Sequence, residues 1–262
     1  MQVSCRMCGA HAKEVFTAQV LRKHNIRYYR CSSCGFLQTE EPYWLNEAYS
    51  RAINVSDTGM MARSLHLLRR VSGILLTFFD PHAYYVDYGG GYGVFTRLMR
   101  DIGFDFHWSD PYSENIFSIG FEHDGRRAEA VTTFETFEHF ADPAKDIDSM
   151  LDISDTIIFT TELIPEETPP RDWWYYGLEH GQHISFYSER SLCQLAERKG
   201  LHFYTCRGVH ILTSRKLNQF KLRMARKLPG SLVREWAGRE LTSRSVSDMN
   251  YVIKQLQQGQ LK

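Results

Sequence analysis

The run Val86-Asp87-Tyr88-Gly89-Gly90-Gly91-Tyr92-Gly93-Val94-Phe95 places four glycines within five positions. An apolar segment, Tyr84-Tyr85-Val86, precedes it, and the helical spacing of Phe95, Leu98 and Met99 follows. That order predicts a strand, a tight loop and a helix. Glycine suits such a loop because it tolerates positive φ and, lacking Cβ, lets a ligand approach the backbone. Dinucleotide folds use Gly-x-Gly-x-x-Gly. Here the spacing is Gly89-x-Gly91-x-Gly93, with the acid Asp87 two positions ahead of the first glycine. Alone, the loop predicts a nucleoside ligand.

A chain of 262 residues allows one large domain, or one domain with a small appendage. Its 43% hydrophobic and 24% charged content is ordinary for a soluble globular protein, and a net charge of zero gives no global pull toward nucleic acid. The stretch MQVSCRMCGA has no apolar core of a signal peptide. The longest apolar run, Ile74 to Phe79, falls far short of the ~20 residues that span a bilayer. The expectation is a reducing, cytoplasmic setting with no transmembrane segment.

Cys5-x-x-Cys8 and Cys31-x-x-Cys34 supply four thiolates, the ligand set a tetrahedral Zn2+ prefers. Glycine follows each second cysteine (Gly9, Gly35), permitting the tight turn under a metal. Redox dithiols or unpaired structural thiols are the competing readings, and neither accounts for two knuckles that both end in Cys-Gly. With four protein ligands a zinc site has no open position and is structural. Residues 1–40 therefore resemble a zinc ribbon, with His11 and His24 as surface residues inside it.

Residues 41–80 read as an aromatic connector (Tyr43 to Tyr49) and a helix. Met61, Leu65, Leu68, Val71, Leu75 and Phe78 give the helical period, Ser56 or Asp57 the cap, and Asp80-Pro81 the stop. Tyr49 either packs the connector onto the core or reaches a ligand pocket. A second strand ends at Asp110, whose carboxylate can accept both hydroxyls of a ribose, or simply form the turn before Pro111. Ala128 to Thr133 reads as a strand running into Phe134-Glu135-Thr136-Phe137-Glu138-His139, and Asp142-Pro143 starts a helix. Thr156 to Thr161 reads as a buried parallel strand. Trp173, Trp174, Tyr175 and Tyr176, after Pro169-Pro170, form either a wall over a substrate or packing beneath their loop. Ser188 should cap a helix over 189–199, with Cys193 on it and Cys206 beyond it as buried thiols. Residues 201–205 and 209–213 read as strands, 214–246 as a basic helical insertion, and Asn250 to Lys254 as the closing strand.

These motifs resemble class I methyltransferases dependent on S-adenosylmethionine (SAM). The glycine loop with its preceding acid matches their SAM loop, and Glu135-x-x-Glu138-His139-x-x-Asp142-Pro143 matches a block after their fourth strand. His183-Ile184-Ser185-Phe186-Tyr187-Ser188 is similar to a Glu-His-x-Ser block of sugar C-methyltransferases, with Gln182 standing where the glutamate would be. The resemblance runs from about Tyr43 onward. It implies an α/β fold, a Rossmann-like seven-stranded class I methyltransferase sheet behind a small N-terminal zinc ribbon. The implied division is a ribbon (1–40), a connector and N-terminal helix (41–80), and a methyltransferase domain (81–262) with the basic insertion at about 214–246.

The implied cofactors are SAM and structural Zn2+. Gly89, Gly91 and Gly93 would lie against the methionine portion of SAM. Asp87 would hold that end or the loop through backbone N–H groups, Asp110 the ribose, and Glu135 the methionine side. Asp124 is the candidate for the adenine amino group. For a general base the order is His183, then His180, then His139, since a neutral imidazole can take a proton near pH 7. Glu179 is placed to compensate for Gln182. Trp173 to Tyr176 would touch a small polar acceptor, such as a nucleotide-linked sugar or a glycan or natural-product precursor, with no stable nucleic acid partner. Two alternatives stay open: a nucleic-acid methyltransferase gripping phosphates through the ribbon and basic insertion, and a non-catalytic SAM-binding protein. Neutral charge and the lack of an Asn/Asp-Pro-Pro-Tyr motif weigh against the first.

Overall fold

The computed structural model describes residues 3–49, 57–206, 208–225 and 230–261, in two compact units. One comprises Met1–Asn54, Thr133–Asp152 and Ile157–Arg215; the other comprises Val55–Thr132, Ile153–Thr156 and Lys216–Lys262. The ribbon residues share a unit with segments that lie more than 90 positions away.

Pairing within the first unit shows why. Strands β1 (Val3–Ser4), β2 (His11–Val20), β3 (His24–Cys31) and β4 (Leu37–Thr39) form an antiparallel sheet whose edge continues into β9 (Ser185–Phe186). Leu37 pairs with Phe186 and Gln38 with Ser185. On the buried face Phe16 stacks on its cross-strand partner Tyr28, ring centroids 4.4 Å apart. Tyr176 and Phe186 close over them at 5.4 and 6.2 Å from Tyr28. This aromatic cluster is the core of the unit; each fully buried ring contributes about 1.5–3 kcal/mol. Trp44, just before the short helix α1 (Leu45–Ala48), donates its Nε1 proton to the Gly181 carbonyl at 2.7 Å. Helix α4 (Pro143–Ile153), strand β8 (Thr156–Phe159), helix α5 (Glu189–Arg198) and the hairpin β10 (His202–Cys206) and β11 (Val209–Thr213) follow. Ser188 caps α5 as expected, its Oγ accepting from the Ser191 N–H at 3.1 Å.

In the second unit, β5 (Tyr84–Tyr88) lies between β6 (Asp105–Ser109) and β7 (Ala130–Thr133), all parallel, with Val86 opposite His107 and Val131. Helix α2 (Met60–Phe78) precedes β5, and α3 (Val94–Ile102) connects β5 to β6. The start of α2 is not capped by a side chain: Gly59 holds the N-cap position, Asp57 accepts from Arg63 at 2.7 Å, and Ser56 lies outside the described residues. Helices α6 (Gln219–Ala225), α7 (Gly230–Glu240) and α8 (Ser245–Gln257) complete the unit.

Among the described residues the α/β sheet carries six strands in the order β10-β11-β8-β7-β5-β6, where seven were expected. Asn250 to Lys254, read as the closing strand, lies inside α8. No turn residue bounds that run before Gly259, and Asp248 draws it into a helix by pairing with buried Arg100. The antiparallel hairpin at the sheet edge is instead β10 and β11. The basic segment 214–246 therefore follows the last strand and is no insertion between strands; its Arg226 and Lys227 lie outside the described residues. Beyond β6, one parallel bridge, Trp108 to Glu122, stands where a further strand would pair. Cys206 is buried as expected, but Cys193 is exposed.

Candidate functional site

The second unit builds the glycine loop between β5 and α3. Gly89, Gly91 and Gly93 take φ values of 67°, 54° and 83°, which side-chain-bearing residues adopt only under strain. The loop is also tightly walled: a Cβ on Gly90 would sit 2.8 Å from Trp108 Cδ1 and 3.0 Å from Asp87 Oδ2. Trp108 donates its Nε1 proton to the Gly91 carbonyl at 2.8 Å. Asp110, at the end of β6, accepts from the Gly91 N–H at 2.9 Å and from the Tyr112 N–H at 2.8 Å, so its carboxylate clamps the loop. Asp87 is buried beneath, accepting from Thr96 Oγ1 at 3.0 Å and Thr132 Oγ1 at 3.1 Å. Loss of water pushes its carboxyl up to about 7, against the pull of the two threonine hydroxyls. Asp124 is exposed and paired with Arg126 at 2.9 Å.

Sequence reasoning missed the segment that braces this loop. Ser118 donates its Oγ proton to the Gly93 carbonyl at 2.8 Å, and Ile116 and Phe117 donate N–H groups to the Tyr92 carbonyl. Asn115, the polar residue that turns the segment by accepting from the Ser118 N–H at 2.9 Å, was the available signal.

The first unit gathers the histidines. After β7 the chain passes through Glu135 at φ 54°, a left-handed conformation for a residue with a side chain. Thr160 holds it, accepting from the Glu135 N–H at 3.0 Å and donating to Glu135 Oε1 at 2.8 Å. A single turn of 3-10 helix, Phe137–His139, then sets Glu138 and His139 side by side. His139 Nδ1 bonds the Tyr49 hydroxyl at 2.7 Å, so Tyr49 reaches this cluster. His183 Nδ1 lies 2.6 Å from the Tyr175 carbonyl, an acceptor only, so the ring proton is on Nδ1 and the Nε2 lone pair is free. His180 has the opposite tautomer, its Nδ1 accepting from the Gln182 N–H at 3.2 Å. The His183 ring lies 5.1 Å from that of His139 and 4.7 Å from that of His180.

Burial sets the charge of this cluster. It lowers His183 to about 4 and His139 well below the usual histidine range, with the neighbouring imidazoles adding to both shifts. Both rings are neutral at pH 7. Glu138 is fully buried, and neither carboxyl oxygen has a hydrogen-bond partner. Burial, then the charge of Glu135, pushes it up to about 8. The hydroxyls of Tyr175 and Thr161 act on it more weakly, and they bond each other at 3.1 Å.

The four aromatics separate. Tyr176 belongs to the core and donates its hydroxyl to the Pro169 carbonyl at 3.1 Å; Tyr175 is buried beside His183; Trp173 packs against the core; and Trp174 is 73% exposed. Gln182 has its own reason to be an amide. Its Nε2 donates to the Ala48 carbonyl at 2.9 Å in a buried position, a bond a glutamate carboxylate cannot make. Glu179 is exposed, so orientation of His183 comes from the Tyr175 carbonyl and not from an acid.

All four N-terminal cysteines are free thiols drawn together, with Cys5 Sγ 3.6 Å from Cys34 Sγ and Cys8 Sγ 3.5 Å from Cys31 Sγ. A tetrahedral ion with Zn–S bonds of about 2.3 Å requires S···S edges of about 3.8 Å. Gly9 and Gly35, at φ 76° and 78°, return their N–H groups to the Cys5 and Cys31 carbonyls at 2.8 and 2.9 Å. The donor set and its spacing are compatible with a zinc site.

The mixed α/β sheet thus carries a walled glycine loop at the end of β5, between its parallel neighbours β6 and β7. The family model described as a methyltransferase domain matches residues 61–205, more than half of the chain, and the chain belongs to that family. Among solved structures it is similar to CalO1, a methyltransferase in calicheamicin biosynthesis in its SAH-bound form. That match has 14% identity and a TM-score of 0.43 over 66% of this chain and 60% of CalO1, so the chain spans less than two thirds of that protein. It is also similar to magnesium protoporphyrin IX methyltransferase from Synechocystis PCC 6803 with bound SAH, with 11% identity and a TM-score of 0.39 over 65% of this chain and 94% of that one. An O-methyltransferase family protein from Burkholderia thailandensis matches with 13% identity and a TM-score of 0.42 over 66% of this chain and 68% of that one. No curated protein sequence matches the chain. Among the described residues no helix is long and apolar enough to cross a membrane.

Proposed function

We propose that this methyltransferase uses SAM to methylate a small polar acceptor, with His183 as general base. The observation that carries the reading is the tautomer of His183: its Nδ1 proton is committed to the Tyr175 carbonyl, and a neutral Nε2 lone pair is left to accept a proton. The acceptor attacks the sulfonium methyl of SAM in line, its proton passes to His183 Nε2, and S-adenosylhomocysteine leaves. Positioning accounts for most of the acceleration, and the base for about 10²–10⁴. His180 ranks behind His183 because its Nδ1 lone pair is used by Gln182, and His139 because Tyr49 engages it.

The glycine loop is our proposed cradle for the methionine end of SAM, with Asp87 beneath it and Glu135 on the methionine side. In this reading Asp110 exchanges one loop contact for the ribose hydroxyls. The exposed apolar residues Tyr112, Ile116 and Phe117 are candidates for the adenine wall, in place of Asp124. Trp174 and Tyr175 are the aromatics kept as acceptor contacts. The acceptor class we favour is a nucleotide-linked sugar or a glycan or natural-product precursor, on the similarity of His183 to Ser188 to the sugar C-methyltransferase block. Cys5, Cys8, Cys31 and Cys34 hold structural zinc, and their free thiols suit a reducing, cytoplasmic setting.

Transfer of labelled methyl from SAM to a panel of such acceptors tests the reading. A His183→Gln variant that binds SAM normally but turns over about 10²–10⁴ more slowly supports it. Equal turnover in the variant contradicts it.

A further inference from the structure

We infer that Glu138, His139 and His183 form a second metal site, for a divalent first-row cation such as Zn2+, distinct from the cysteine cluster. One ligand atom from each residue lies within 4.8 Å of the others. A tetrahedral ion with bonds of about 2.0–2.1 Å needs about 3.3 Å between ligand atoms, so binding would draw the three side chains closer together. Two imidazoles and one carboxylate are a borderline donor set suited to zinc, iron, cobalt or manganese, and three protein ligands leave a coordination position open.

An independent observation points to the same place. Glu138 is 0% exposed, and neither of its oxygens has a partner in normal hydrogen-bond geometry; the Tyr175 and Thr161 hydroxyls, which favour its charged form, bond each other at 3.1 Å. Buried polar groups without partners are rare and costly, and a bound cation would satisfy these two at once. The supporting contacts are those that metal-bound histidines use. His183 turns its Nδ1 proton onto a backbone carbonyl at 2.6 Å, leaving its Nε2 for an ion, and the Tyr49 hydroxyl, 2.7 Å from His139 Nδ1, can accept that ring's Nδ1 proton in the tautomer that frees Nε2. Glu138 and His139 come from one turn and His183 from another segment, so no ligand spacing in the sequence announces the site.

The inference rests on the reading of this cluster as the acceptor site, and deepens it. An ion on His183 Nε2 takes the lone pair that proton removal needs, so filling the site suppresses methyl transfer.

The test is metal content and Zn2+ titration of the full chain. The expected result is two ions per chain, one chelator-resistant on the cysteines and one removable. Glu138→Gln should abolish the second and keep the first, and Tyr49→Phe, which leaves all three ligands in place, should weaken the second by about 10–100-fold. Co2+ at the second site should give visible absorption without the thiolate charge-transfer band of the first. A single ion in the wild-type chain, or a second ion untouched by both variants, overturns the inference. If no second ion binds while His183→Gln still loses turnover, the metal site falls and the base stands. If the ion binds and turnover is unchanged, the site stands and the base reading falls.

Discussion

The Tyr175 carbonyl holds the Nδ1 proton of His183 at 2.6 Å, so a backbone group, and no acid, sets the tautomer of the imidazole. Substitutions at Gln182 or Glu179 therefore leave the tautomer in place. Glu179→Gln should retain turnover within about twofold, whereas His183→Gln lowers it by about 10²–10⁴ with the SAM dissociation constant unchanged. Parallel steady-state kinetics on the two variants check this. Large losses in both would return the orienting role to the acid.

Gly93 takes φ 83°, and a Cβ there would lie 2.7 Å from Asn115 Oδ1. Gly93→Ala combines left-handed strain of about 1–2 kcal/mol with that clash. SAM affinity measured by calorimetry should fall by more than tenfold. An unchanged affinity would remove the loop from the cofactor site.

Asp87 should make stability depend on pH in an unusual direction. Its carboxyl ionises near 3.8 when unfolded and near 7 when folded, so the native state binds the extra proton between those values. Its contribution is fully present below about 3.8 and is lost as pH rises through about 7. Asp87→Asn removes this dependence, so its melting temperature should gain on the wild type steadily from pH 4.5 to 7. Parallel curves would show that Asp87 is ionised in the native state.

Arg100 is buried and grips Asp248 with two bonds, Nε to Oδ2 at 2.7 Å and Nη2 to Oδ1 at 2.8 Å, tying α8 to α3. Asp105 keeps Arg100 paired at 2.9 Å when Asp248 is removed, so breaking this pair costs about 1–3 kcal/mol. Asp248→Ala should therefore lower the denaturant midpoint strongly and loosen α8 in hydrogen exchange. A change below about 1 kcal/mol would show that the pair holds nothing in place.

What the sequence disclosed was local. The strand, glycine loop and helix from Tyr84 to Met99, the two Cys-x-x-Cys turns and the Ser188 cap each depend on neighbours in the chain, and each is where its pattern placed it. The failures depend on distant partners. Asn250 to Lys254 is β-branched and apolar enough for a strand, but Arg100, far up the chain, fixes the segment through Asp248 as a helix. Tyr176 reads equally as a lid or as core until Phe16 and Tyr28 are brought beneath it. The pairing of β4 with β9 and the carbonyl that orients His183 have no side-chain signature at all. The histidines themselves were legible from their block, whereas Glu138 gained its significance only from full burial without a partner.

The central claim is most directly tested by incubating the full chain, with zinc kept on its cysteines and removable metal stripped by chelator, with SAM carrying a labelled methyl group and a panel of small hydroxylated and keto-sugar nucleotides. The account predicts labelled acceptor and S-adenosylhomocysteine formed in equal amounts by the wild type, with both lost together in His183→Gln while SAM binding persists. Absence of SAM binding by the folded wild-type chain, or equal turnover by the variant, would contradict it.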